Sequence, residues 1–138
     1  MKTFYTTCFA RRKGDWSKCY SIAVYPPKYY SYGGRFYPDL AADPENLHSL
    51  LRGQMDEDHY YELYEQKLAT LNPVDVVADL PDGAILLCHE KPGDPCHRHK
   101  AAEWLNKSGL CTVEEIYNEK DIKKLGLEAP NSLSGLFY

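Results

Sequence analysis

The segment that most limits the fold is residues 81–105. There Pro81-Asp82-Gly83 turns the chain into the apolar run Ala84-Ile85-Leu86-Leu87, and Lys91-Pro92-Gly93 breaks it again. Four apolar residues without alternation describe a strand covered on both faces, the kind found in parallel sheets flanked by helices. Asp94-Pro95 follows the break. Its carboxylate can accept an orphan backbone N–H, and proline at the first helical position gives up no hydrogen bond. A helix is expected from there, with Cys96, His97 and Arg98 in its first turn. On that helix His97, Ala101, Trp104 and Leu105 share one stripe, and Cys96, His99, Lys100 and Glu103 another.

The rest of the chain supplies partners for this unit. Residues 3–8 are rich in β-formers and predict an opening strand. Residues 19–25 predict a second, ending at Pro26-Pro27, which cannot continue a ladder. Residues 28–40 read as a loop from their glycines and prolines, yet carry Tyr29, Tyr30, Tyr32, Phe36 and Tyr37. Asp43-Pro44 opens a helix through Leu47, Leu50 and Leu51 that Gly53 closes. A longer helix spans 56–71, with Tyr60, Leu63, Tyr64, Lys67, Leu68 and Leu71 at helical spacing. Asn72-Pro73 starts a short one. Residues 110–113 predict another strand, 121–125 a last helical turn, and the tail ending Leu136-Phe137-Tyr138 a docking segment. The expected architecture is one α/β domain over 1–138: a mainly parallel, Rossmann-like sheet of about four to five strands, with helices on both faces and a cleft at the strand ends.

Charge and composition narrow the partners. A formal charge of -4 argues against a duplex nucleic-acid coat, which needs clustered positive charge, Arg11-Arg12-Lys13 being a local exception. No apolar run is long enough to span a bilayer, and Met1-Lys2-Thr3 opens no signal-peptide core, so a cytoplasmic location is expected. Five cysteines, an odd number without compact spacing, are then expected to stay reduced. Tyrosine is the outlier at 12 residues. Its flat apolar face and polar tip suit stacking on a base or contact between protein surfaces.

These features support a pocket for a nucleotide-derived, ADP-ribose-like or phosphate-bearing molecule. A helix start with free N–H groups, backed by Arg98 and by Lys91 or Lys100, makes an anion end. Cys88, Cys96, His97 and Arg98 line it, with Glu90 orienting the guanidinium; Tyr5, Tyr25, Tyr30 and Tyr32 form the aromatic end. Such a protein binds and sequesters a signalling nucleotide, as a viral or bacterial antagonist would. A competing class is an enzyme acting at a nucleotide or glycosidic bond, with Glu90 as acid/base or Cys96 as nucleophile. A third is a tyrosine-rich interaction module, which includes a homo-oligomer. Cys88, His89, Cys96, His97 and His99 are zinc-ligand types, but adjacent strand residues point to opposite faces and there is no Cys-x-x-Cys knuckle. No metal and no cofactor are expected. His97 has the plainer alternative of a buried imidazole bonded to a strand end.

The run Leu86-Leu87-Cys88-His89-Glu90-Lys91, then Cys96-His97-Arg98, then Ala102-Glu103-Trp104-Leu105, resembles the signature of domain-of-unknown-function family 488. Cys88, Glu90, Cys96, His97 and Arg98 match position by position. Tyr5-Thr6-Thr7 and Ile22-Ala23-Val24-Tyr25-Pro26-Pro27 look like that family's first strand and its strand before a proline, although Ala23-Val24-Tyr25 stands where the family has Asp-Val-Arg. The resemblance implies an α/β fold and no settled activity.

Overall fold

Five parallel strands make one sheet in the order β3-β2-β4-β1-β5: β1 Lys2–Cys8, β2 Cys19–Ser21, β3 Arg35–Phe36, β4 Ile85–Cys88 and β5 Cys111–Glu115. The structure, a computed structural model, describes residues 1–9, 17–31, 33–89 and 96–116. The helices are α1 Lys28–Ser31, α2 Pro44–Leu51, α3 Glu57–Ala69, α4 Pro73–Asp79 and α5 His97–Lys107. This is the α/β class. β4 lies between β2 and β1, whereas the dinucleotide-binding order runs 3-2-1-4-5.

β4 is buried along its whole length, as its unbroken apolar run requires. Successive strand residues point to opposite faces, and the core divides accordingly. Phe4 and Leu86 pack with Tyr64 and Leu68 of α3, Val76 of α4 and Leu105 of α5; Ile85 and Leu87 pack with Tyr30 of α1 and Phe9. Helices thus serve both faces.

Helix starts follow local chemistry. Asp43 accepts from the Glu45 N–H at 2.9 Å, Asp56 from His59 at 2.8 Å and Asn72 from Val74 at 3.0 Å, each satisfying a donor with no partner inside its helix. Gly53 and Gly109 follow α2 and α5 at φ 75° and 73°. No helix among the described residues is long and apolar enough to cross a membrane.

Three local expectations change. β2 stops at Ser21, because the Ser21 hydroxyl takes the Ala23 N–H and the Ile22 carbonyl turns to a histidine of α5. Residues 28–40 are not a plain loop: they hold α1, β3 and a 3-10 turn over Pro38–Leu40. The Pro27 carbonyl starts α1 by accepting from Tyr30 and Ser31. Finally, α5 begins at His97 with Cys96 as its N-cap, so Cys96 precedes the first turn instead of lying in it. Asp94-Pro95 lies outside the described residues, as do 121–125 and the tail.

Candidate functional site

The carboxyl ends of the strands meet the start of α5, and His97 is the centre of that junction. Its Nε2 lies 2.6 Å from the Ile22 carbonyl oxygen at the end of β2. A carbonyl only accepts, so Nε2 carries a proton, and Nδ1 is the ring nitrogen nearer the sulfurs. The Cys88 sulfur, at the end of β4, is 3.5 Å from Nδ1 and 3.9 Å from Nε2; the Cys96 sulfur is 3.9 Å from Nδ1. Tyr64 meets the imidazole edge to face, with ring centroids 5.1 Å apart. All three residues are buried. Hydrogen bonding from Cys88 holds the Cys96 thiol well below the ordinary thiol range; burial opposes this, and His97 and the Arg98 backbone N–H reinforce it.

Arg98 turns away from this cluster into the protein. Its side chain has no exposed surface, and Nε and Nη2 donate to the Glu115 carboxylate at 2.9–3.3 Å. The Thr6 hydroxyl donates to the same carboxylate. Nη1 has no hydrogen-bond partner among the described residues. The described partner is Glu115, the expected Glu90 lying outside the described residues, and one expectation is corrected: the guanidinium does not form an anion end, because it is sealed in and already paired. The Glu65 carboxylate likewise takes Lys100 at 2.9 Å.

Beside the cluster lies a cleft of about 270 Å³, lined by Tyr25, Cys88, His89 and His97, with Leu47 of α2 and Tyr60 of α3 opposite. Tyr25 is 55% exposed but held on two sides. Its ring stacks on His48 at 5.8 Å and 10°, its hydroxyl lies 2.8 Å from His48 Nε2, and His89 Nε2 bonds its carbonyl at 2.6 Å. Cys96 does not line this cleft, so its sulfur lacks the open approach that attack on a bound substrate needs.

The structure therefore brings together Cys88, Cys96 and His97, with Tyr25 nearby, and places Tyr5 and Tyr30 outside the cleft. Tyr5 lies mid-strand opposite Ile85, and its hydroxyl is influenced by Asp82 and Glu114 rather than by the cluster. Tyr30 is fully buried: its hydroxyl bonds the Arg35 carbonyl at 2.6 Å, and its ring packs against Phe9 and Phe36. Neither lines the cleft. Glu90 and Tyr32 lie outside the described residues.

Sequence reading missed Glu115, Thr6 and His48. A signal for Glu115 exists: in β5 the period of two places it on the face of the buried Cys111 and Val113. An inward carboxylate demands a cation. Compared with known protein families, curated proteins and solved structures, the chain finds no match.

Proposed function

We propose that the cleft beside His97 binds the flat, aromatic part of a small nucleotide-derived molecule and holds it without turnover. The observation that carries this reading is Tyr25, a largely exposed ring stacked on His48, with its backbone carbonyl held by His89, at the edge of a concavity. A platform fixed in advance loses little side-chain entropy when a base stacks on it. Cys88, His89 and His97 supply the polar contacts beside a mainly apolar surface, the usual composition of a ligand pocket.

Size refines the ligand. At about 270 Å³ the cleft is just below the ~300–1,000 Å³ common for drug-sized ligands. It suits a base or nucleoside, so an ADP-ribose-like molecule enters with one end only. Membership of domain-of-unknown-function family 488 is part of the same proposal, carried by Leu86-Leu87-Cys88 and Cys96-His97-Arg98.

A panel of nucleosides, mononucleotides and ADP-ribose-like compounds tests the reading by thermal shift and calorimetry. A binder should return intact when the complex is denatured. Tyr25→Ala should weaken it by about 1–3 kcal/mol, or roughly 5- to 150-fold, the contribution of one base stack. No shift with any member, or undiminished affinity in a folded Tyr25→Ala protein, overturns the assignment; altered ligand after denaturation means an enzyme.

A further inference from the structure

Cys88, Cys96 and His97 are three ligand-type side chains whose donor atoms all lie within 4.8 Å of one another. We propose that they form a site for a thiophilic divalent cation, zinc by preference, whose fourth position faces the cleft. This inference goes beyond ligand binding and does not depend on it. It also departs from the expectation of no metal, which weighed Cys88 and His89 as neighbours on a strand. The structure draws its set from a strand end, a helix cap and a first helical turn, and leaves His89 out.

The sulfur–nitrogen separations are close to those of a tetrahedral centre. Zinc–sulfur bonds of about 2.3 Å and zinc–nitrogen bonds of about 2.0–2.1 Å place sulfur about 3.5 Å from nitrogen across a tetrahedral edge. Here the two sulfurs are 3.5 and 3.9 Å from Nδ1. The Cys88 sulfur sits beside both ring nitrogens, at 3.5 and 3.9 Å and well off the Nδ1 axis, so it must swing by about 2–2.5 Å to take a tetrahedral position at zinc bond lengths. A change of rotamer about its Cα–Cβ bond displaces the sulfur by a distance of that order.

Three further observations point the same way. The Nε2–H bond to the Ile22 carbonyl fixes the ring and leaves Nδ1 as the nitrogen available to an ion, as an outer-shell carbonyl does for a metal-bound histidine. Two thiolates and a neutral imidazole cancel the charge of a divalent ion, which removes the electrostatic cost of keeping either in a buried place. Two thiolates and one imidazole also select zinc over magnesium or calcium, which prefer oxygen. The described cysteines Cys8, Cys19 and Cys111 are buried too, but belong to no such cluster, so burial alone does not produce it. Because Cys88 and His97 also line the cleft, water or a bound molecule there can complete the coordination. Thiol protons still present leave to solvent as the ion binds.

The full chain, reduced and stripped with a chelator, is titrated with Co²⁺ and then with Zn²⁺. One equivalent of Co²⁺ should give the strong visible bands of a tetrahedral ion and a near-ultraviolet thiolate charge-transfer band, and Zn²⁺ should abolish both. Cys88→Ser and Cys96→Ser should each weaken Zn²⁺ binding by more than about 100-fold, while Cys111→Ser behaves as the parent. Should the serine variants misfold, mass-spectrometric mapping of alkylation in the parent decides: Zn²⁺ should protect Cys88 and Cys96 selectively. A weak octahedral cobalt spectrum, unchanged affinity in folded serine variants, or equal alkylation of all cysteines with and without Zn²⁺ overturns the proposal. A cobalt spectrum of the expected form with no response to the nucleoside panel sinks the ligand reading alone.

Discussion

Glu115→Leu strands a guanidinium that has no exposed surface and cannot shed its proton. Removing one partner of a buried ion pair costs about 3–5 kcal/mol, because the remaining charge is left uncompensated. At a urea m-value of about 1.5 kcal/mol/M for a small domain, that loss lowers the unfolding midpoint by about 2–3 M. It is a large part of a typical stability of about 5–15 kcal/mol. Arg98→Met should cost less, about 2–3 kcal/mol, because the carboxylate keeps its bond from Thr6 and a carboxyl can take up a proton where a guanidinium cannot release one. The double variant Arg98→Met/Glu115→Leu should return to within about 1 kcal/mol of the parent, since well-packed apolar replacements of buried ion pairs are often neutral. Urea unfolding followed by circular dichroism at pH 7 measures all three. A loss below about 1 kcal/mol in Glu115→Leu, or a larger loss in Arg98→Met than in Glu115→Leu, refutes the reasoning.

Burial raises the phenol pKa of Tyr30 and Tyr64. The unfolded chain ionises them near pH 10, so above that pH it holds fewer protons than the fold and stability falls, by about 1.4 kcal/mol per pH unit for each tyrosine. Below pH 10 the effect vanishes. Tyr64→Phe should make the fall between pH 10 and 11 shallower in urea midpoints, and an unchanged slope contradicts the assignment. Gly34→Ala places a methyl 2.2 Å from Tyr30 ring atoms, and that ring is locked between Phe9, Phe36 and its bond to Arg35. Overpacking of this kind costs about 1–3 kcal/mol, and a thermal melt at or above the parent's would show that the ring can give way.

What was legible in the sequence was local. The apolar run of β4 announced a covered strand, and Asp43, Asp56 and Asn72 announced helix starts, because in each case the signal and the structure it dictates lie within a few residues. Long-range pairing was not legible. Glu115 is 17 residues beyond Arg98, on an edge strand, and only parallel pairing of β1 with β5 brings it beside Thr6. The tyrosines were misallocated for a related reason. Composition marks a ring as able to stack, but its strand register or helix position decides whether it becomes core, as at Tyr30, or stays at the surface, as at Tyr25.

The same pairing explains why the reactive groups assemble where they do. The first residues of α5 are tied to every neighbouring strand end: His97 to β2 through Ile22, His97 to β4 through Cys88, and Arg98 through Glu115 to β5 and thence to Thr6 of β1. A helix start tethered on so many sides loses little freedom when an ion or molecule settles beside it, which is the condition for a preorganised site. The ion pair and the cysteine–histidine cluster therefore divide the labour within one turn of helix. Arg98 faces inward and fixes the turn, and its neutralisation by Glu115 takes it out of ligand recognition. His97, one residue earlier, turns Nδ1 to the two sulfurs while Nε2 holds the Ile22 carbonyl. Loosening the turn with Glu115→Leu should then reduce Zn²⁺ affinity even though Glu115 touches no metal ligand, by less than the loss in Cys88→Ser. Zinc titration of the two folded variants compares them, and undiminished affinity in Glu115→Leu would separate the structural anchor from the site it was inferred to hold.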